Sequence, residues 1–275
     1  MLRRTIAITA AALALASLGA CGSDDSGSAA TTTAAEQTTT TAAAPLQILL
    51  TNDDGIGAPG IDALVVELQK LPGVELSVVA PATNQSGSSD KTSIAPVTYG
   101  DGATASGFKG TEVDGFPADS VVVALDKLKL TPDLVVSGVN QGQNVGPYAK
   151  VSGTIGAART AARRGIPAVA SSAGLGADAD YAAGAKLVST WITDHRAELA
   201  GGTAQHATVT SFNVPGCTAG EPKDLIEVPL APTVPEGTNV FLTADCSIAV
   251  AAAPKDDVQA MVDGYLTVTQ VPLDL

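Results

Sequence analysis

From Leu46 onward the chain alternates short apolar runs of strand length with longer stretches of helical spacing. Residues 46–51, 74–80, 134–137, 168–171 and 207–212 read as strands, whereas 61–71, 153–164 and 181–199 carry apolar residues at helical intervals. Parallel strands need a long crossover, and a helix supplies one. The order therefore predicts an α/β fold: three layers, Rossmann-like, with a mostly parallel sheet covered on both faces. Residues 85–116 are rich in Gly, Ser and Thr and lack a helical period, which predicts inserted loops and hairpins. Residues 239–275 hold two strand-like runs around a short helix and predict a strand-rich C-terminal arm. No internal repeat is present.

The first 45 residues have a different composition. Arg3 and Arg4, an apolar run over 6–16, and Leu18-Gly19-Ala20-Cys21 read as a secretory signal peptide over residues 1–20. The last four residues resemble a bacterial lipobox. That resemblance implies cleavage before Cys21, a lipid on its sulfur, and anchoring to the outer face of the cell membrane. Residues 21–45 are mainly Ser, Thr, Ala and Gly, too poor in large apolar groups to fold, and read as a disordered tether. Such a chain spans roughly 25–30 Å on average. The folded domain is expected over 46–275.

Of the 275 residues, 45% are hydrophobic and 16% charged, enough apolar sequence for one sizeable core. The net charge of −13 excludes an extended surface for a nucleic-acid polymer, which needs clustered cations. Two histidines and three cysteines exclude a His-rich transition-metal site and a four-cysteine zinc site. With Cys21 lipidated, Cys217 and Cys246 remain as a pair, either bridged or as two free thiols. A bridge closing that loop of some 29 residues is worth about 3–4 kcal/mol.

Ligands of parallel α/β sheets sit beyond the carboxyl ends of the strands. Three such ends carry unusual chemistry. Thr51-Asn52-Asp53-Asp54-Gly55 places two carboxylates side by side, where they repel unless a proton or a hard divalent cation intervenes. Ala80 to Gly87 offers small hydroxyl and amide donors, including Ser86. Ser137-Gly138-Val139-Asn140 runs into Gly142 and Asn144, and Ser152-Gly153-Thr154 then opens a helix whose N-terminal N–H groups favour an anion. Ser152 also reads as the cap of that helix.

Rival motifs fail on their context. Gly55-x-Gly57-x-x-Gly60 matches a dinucleotide-binding pattern, but Asp53 and Asp54 would face the pyrophosphate and Val79-Ala80-Pro81 lacks the ribose-binding acid. Ser88-Ser89-Asp90-Lys91 fits a penicillin-recognising serine motif without its companion segments. No nucleophile elbow is present, and His195 and His206 lie away from the strand ends, which disfavours a Ser-His-Asp hydrolase.

Taken in order, these segments resemble the SurE family of survival-protein nucleotidases. The matches are Asn52-Asp53-Asp54-Gly55 with Ala58-Pro59-Gly60, Ala80-Pro81 with Gln85-Ser86-Gly87, Ser137 to Asn140 with Gly142 and Asn144, and Ser152-Gly153-Thr154. Gly165-Ile166-Pro167, Asn213-Val214-Pro215, and Asp257 with Gly264-Tyr265 follow, so the set spans 46–275. The resemblance implies a phosphoric monoester hydrolase of 5'-nucleotidase or acid-phosphatase type, acting on nucleoside 5'- or 3'-monophosphates. It implies one divalent cation, Mg2+ or Mn2+, on Asp53, Asp54, Ser86 and Asn140, with Asp53, Asp54 and Asn140 catalytic. Asn52, Gly87, Asn144, Ser152, Gly153 and Thr154 are implied to meet the phosphate, and a homodimer or tetramer is implied as the assembly. Two positions depart from the family: Val151 stands where a tyrosine is usual and Thr160 where a glutamate is usual. These departures leave a second expectation, a nucleotide-binding lipoprotein with little or no turnover.

Overall fold

The computed structural model describes residues 44–175, 179–241 and 243–275. The signal-peptide, Cys21 and tether readings lie outside the described residues.

The element order is β1 (Leu46–Thr51), α1 (Pro59–Leu68), β2 (Val74–Pro81), β3 (Tyr99–Ala103), β4 (Lys109–Val113), α2 (Pro117–Val122), β5 (Leu134–Gln141), α3 (Gly153–Ala162) and β6 (Ala168–Ala173). Then come α4 (Tyr181–Asp194), α5 (Arg196–Ala200), β7 (Thr208–Val214), β8 (Cys217–Ala219), β9 (Lys223–Glu227), β10 (Ala244–Asp245), α6 (Asp257–Val262) and β11 (Tyr265–Pro272). Nine strands form one sheet in the order β3-β4-β2-β1-β5-β6-β7-β11-β9. β1 pairs in parallel with β2 on one side and β5 on the other, so the chain reverses its direction of travel there and opens a crevice. The expected three-layer α/β architecture with a mostly parallel sheet is present.

Strand alternation builds two cores. Ile48 and Leu50 of β1 point to the α1/α4 face, while Leu49 points to α2 and α3. In α1, Ile61, Leu64, Val65 and Leu68 recur at three- and four-residue steps and are all buried, and Pro59 opens the helix where its missing N–H costs nothing. The inserted hairpin β3–β4 is pinned to α1 by Asp62, whose carboxylate accepts from Thr104 Oγ1 at 2.6 Å and from Ser106 N at 2.9 Å.

Three elements differ from the sequence reading. The single helix expected over 181–199 breaks into α4 and α5 at His195, whose ring lies 2.9 Å from the Trp191 carbonyl through Nδ1 and stacks on the Trp191 ring. α2 and the π-helical turn that follows it, Val123–Lys127, were not expected, because Val121, Val122 and Val123 form a β-branched run that disfavours helix. Pro117 at the start and Asp119, which accepts from Phe116 N at 2.9 Å, override that preference. The C-terminal stretch is strand-rich, yet β11 is an interior strand, antiparallel to β7 and parallel to β9. Beside it β8 and β10 pair as a small separate ribbon.

Candidate active site

The site grows from the end of β1. Asn52 is fully buried and closes the β1–α1 turn: its amide donates to Gly55 O at 2.8 Å and its Oδ1 accepts from Gly55 N at 3.2 Å. Asn52, expected among the phosphate contacts, here shapes the loop that presents the two carboxylates.

Asp53 is 2% exposed and accepts a 2.6 Å hydrogen bond from Thr154 Oγ1 at the start of α3. A Cβ built on Gly153 would stand 2.9 Å from Asp53 Oδ2 and 2.7 Å from Ser88 Oγ, so only glycine lets the helix terminus come this close. Burial, together with repulsion from Asp54, outweighs the Thr154 hydrogen bond and pushes the Asp53 carboxyl up to about 6. Asp54 is half-buried and is also raised by burial, against hydrogen bonds from Gln141 N at 3.0 Å and Asn84 Nδ2 at 3.1 Å. Two adjacent acids held against their preference for water form a site that favours positive charge.

The hydrogen bonds on Asp54 draw the other loops in. Asn84 holds the loop after β2, and its Oδ1 accepts from Ser86 N at 3.0 Å. Ser86 and Gly87 are exposed on this loop. Gln141 ends β5, where pairing with β6 shifts register between Ser137 and Asn140, an irregularity that re-aims a strand end. Asn140 is 7% exposed; its amide donates to Gly142 O at 2.6 Å, which leaves Oδ1 as an available acceptor. The loops carrying Asp53, Asp54, Ser86 and Asn140 thus meet through direct hydrogen bonds across the crevice.

At the start of α3, Ser152 Oγ accepts from Ile155 N at 3.1 Å and so caps the helix. Gly153 and Thr154 form the first turn beside Asp53. Asn144 faces the sheet: its amide donates to Ser172 Oγ at 2.9 Å and its backbone N–H to Asn213 Oδ1 at 2.8 Å. Val151 is exposed, and Thr160 donates back to Gly156 O within α3. Cys217 of β8 and Cys246, which follows β10, are joined by a disulfide with Cα atoms 5.5 Å apart.

Asn84 and Gln141 lie within the strand-end segments singled out in the sequence but were given no role there, and Ser88 and Tyr181 were not among the candidate site residues. Ser88 Oγ is buried against Gly153 with no hydrogen-bond partner among the described residues, and Tyr181 stands at the mouth of the crevice beside Asp54. Asn84 and Ser88 lie within two residues of Ser86, which was the available signal. Gln141 follows Asn140 directly and had the same signal, whereas Tyr181 had none.

Among the described residues no three His, Cys, Asp or Glu side chains gather as a metal-binding group. The oxygen set of two carboxylates, an amide and a hydroxyl still fits a hard cation, because such ions accept neutral oxygen ligands beside carboxylates. The unpartnered Ser88 hydroxyl beside Asp53 adds a polar atom to that donor set.

Comparison with known proteins identifies the family of the chain. The family described as Survival protein SurE matches residues 48–232. A protein of Symbiobacterium thermophilum named 5'-nucleotidase SurE is 34% identical, with 83% of this chain and 93% of the relative covered. One of the same name from Sorangium cellulosum is 36% identical over 83% of this chain and 90% of its own length. The crystal structure of the SurE protein from Aquifex aeolicus superposes with a TM-score of 0.65 at 28% identity, covering 83% of this chain and 94% of that one. With the strand-end carboxylates, the α3 terminus and these matches in hand, the chain belongs to the SurE family.

Proposed function

We propose that this protein is a metal-dependent nucleotidase that hydrolyses nucleoside 5'- or 3'-monophosphates to nucleoside and phosphate. The observation that carries the reading is the Asp53–Asp54 pair at the end of β1, one buried and one half-buried, hydrogen-bonded directly to the loop after β2, to the end of β5 and to the start of α3. Relatives bearing the name 5'-nucleotidase support the substrate class.

Asp53, Asp54, Ser86 and Asn140 are the residues that would hold Mg2+ or Mn2+. When bound, such an ion supplies Lewis-acid charge that neutralises phosphate oxygens and makes water a better nucleophile. Thr154 keeps Asp53 oriented through its hydroxyl. The start of α3 lies beside Asp53, and the N-terminal end of a helix favours a dianionic phosphate, a local compensation that a chain of net charge −13 needs. Asn52 and Gln141 fix the height of the carboxylates.

Export and lipid anchoring through Cys21 belong to the same proposal and rest on the lipobox-like Leu18-Gly19-Ala20-Cys21. Assembly as a homodimer or tetramer belongs to it too and rests on the family resemblance. The deciding experiment measures phosphate release from a panel of nucleoside monophosphates with EDTA, Mg2+ and Mn2+. The reading expects release that EDTA abolishes and one of the two metals restores. Release indifferent to EDTA contradicts the metal, and tight nucleotide binding without release would make the protein a binding lipoprotein.

A further inference from the structure

A cavity of about 390 Å³ opens directly beside Asp54, lined among others by Ala58, Pro59, Asn84, Gln141 and Tyr181. A second recess of about 400 Å³ continues between α1 and the start of α4, and the two share Pro59 and Tyr181. Tyr181 therefore stands where the crevice turns from the carboxylates toward the outer helices. Among the described residues it is the one aromatic ring in the lining of either recess.

The ring is held in place. Asp180 caps α4 by accepting from Ala183 N at 2.8 Å, which fixes the turn on which Tyr181 stands. A Cβ built on Gly60 would come within 3.2 Å of Tyr181 Cδ1 and 1.8 Å of Val139 O, so α1 is wedged between the end of β5 and this ring and admits no side chain there. Tyr181 also packs at the margin of the α1/α4 core. Burial, followed by the negative charge of Asp54, raises its hydroxyl above the ordinary tyrosine range, so it stays neutral at physiological pH.

With the phosphate bound between Asp53, Asp54 and the start of α3, the alcohol part of the ester has to extend along an open side of the site. The recess beside Asp54 is such a side. It offers two amide side chains at its rim, Asn84 and Gln141, and one fixed aromatic face further out. A flat, hydrogen-bonding leaving group with a π-face suits those groups, whereas a sugar alone gains no stacking from them.

We propose that Tyr181 is a specificity-determining residue of this site, the platform on which the base of a nucleoside monophosphate stacks, and that the recess beside Asp54 is the nucleoside subsite. The inference rests on the nucleotidase reading and deepens it by assigning where the base sits.

The test compares the full chain with Tyr181→Phe and Tyr181→Leu, each checked for an unchanged melting temperature. KM and kcat are measured for adenosine 5'-monophosphate and for ribose 5-phosphate, which lacks the base. In parallel, adenosine is titrated calorimetrically into metal-free protein. Tyr181→Leu is expected to raise KM for the nucleotide about tenfold, with kcat and the ribose 5-phosphate KM within twofold of the wild type. Adenosine binding should weaken by the same factor, and Tyr181→Phe should behave as wild type in all three measurements. Equal losses on both substrates, or no change on either, would overturn the inference, as would adenosine failing to bind the wild-type protein. If the wild type releases no phosphate from any nucleotide yet binds adenosine in a manner that Tyr181→Leu weakens, the nucleotidase reading fails while the subsite stands.

Discussion

The centre of the sheet and its β7–β11–β9 edge are built from the same kinds of strand but are held in different ways. At the centre, apolar β1 and β5 end in polar loops tied together by side-chain hydrogen bonds such as Asn84 to Asp54, Gln141 to Asp54 and Thr154 to Asp53. On that side the C-terminal strand β11 is inserted between β7 and the outer strand β9, and a disulfide staples the neighbouring ribbon. There Ser211, Thr267 and Thr269 bury hydroxyls that have no partner among the described residues, and Asn213 its amide nitrogen. Hydrogen-bonded loops can position ligand atoms, while a covalent staple only limits how far the chain can open. Perturbing the centre should therefore change chemistry before stability, and perturbing the edge should do the reverse.

The sharpest way to break that contrast is Asp54→Asn. It removes a carboxylate from the donor set without touching the core, so phosphate release should fall on the order of 100–1000-fold while the melting temperature moves by only a few degrees. A loss of folding comparable to the loss of rate, seen by circular dichroism, would mean that the pair is structural.

Reducing the Cys217–Cys246 bond, or replacing both cysteines by Ser, should cost about 3–4 kcal/mol in denaturant unfolding. Turnover per folded molecule should stay within twofold. A selective loss of turnover would join the edge to the site.

The pH dependence sharpens the centre. Because burial holds the folded Asp53 carboxyl near 6, above its ordinary 3.8, the folded state binds the proton more tightly than the unfolded chain. Metal-free protein should therefore be more stable below that window and lose up to about 3 kcal/mol as pH rises from 4 to 6. Asp53→Asn should flatten this part of the profile, measured by urea unfolding in EDTA. An unchanged slope in the variant would place the titration elsewhere.

The smallest effect is expected at the cap of α3. Ser152→Ala leaves Ile155 N without its side-chain acceptor and should cost about 1 kcal/mol, and Ser152→Asp should recover most of it. A much larger loss would mean that Ser152 carries more than the helix.

Much of the centre was legible in the sequence because its signals are local. Apolar runs of five or six residues, Ser152 before a helical stretch, and paired acids at a strand end each act within a few positions. What escaped reading acts across the chain: Gln141 reaches Asp54 from 87 residues away, Thr154 reaches Asp53 from 101, and Asn84 reaches Asp54 from 30. Thr154 was in view as a phosphate contact, but its bond to Asp53 was not. Tyr181 read as the first residue of a helix, since nothing in its neighbourhood of the sequence indicates that α4 begins at the crevice. The edge was harder still. The alternation of 265–272 marks a strand, yet strand length and pattern do not say which partner it joins, and β11 proved to be interior.

The central claim is that oxygen atoms on three strand-end loops share one hard cation. Isothermal titration of Mn2+ into EDTA-treated wild type, Asp54→Asn and Asn140→Ala tests it most directly. One site per chain in the wild type, with binding weakened at least tenfold in both variants, is the predicted result. Equal Mn2+ binding by all three proteins would contradict it.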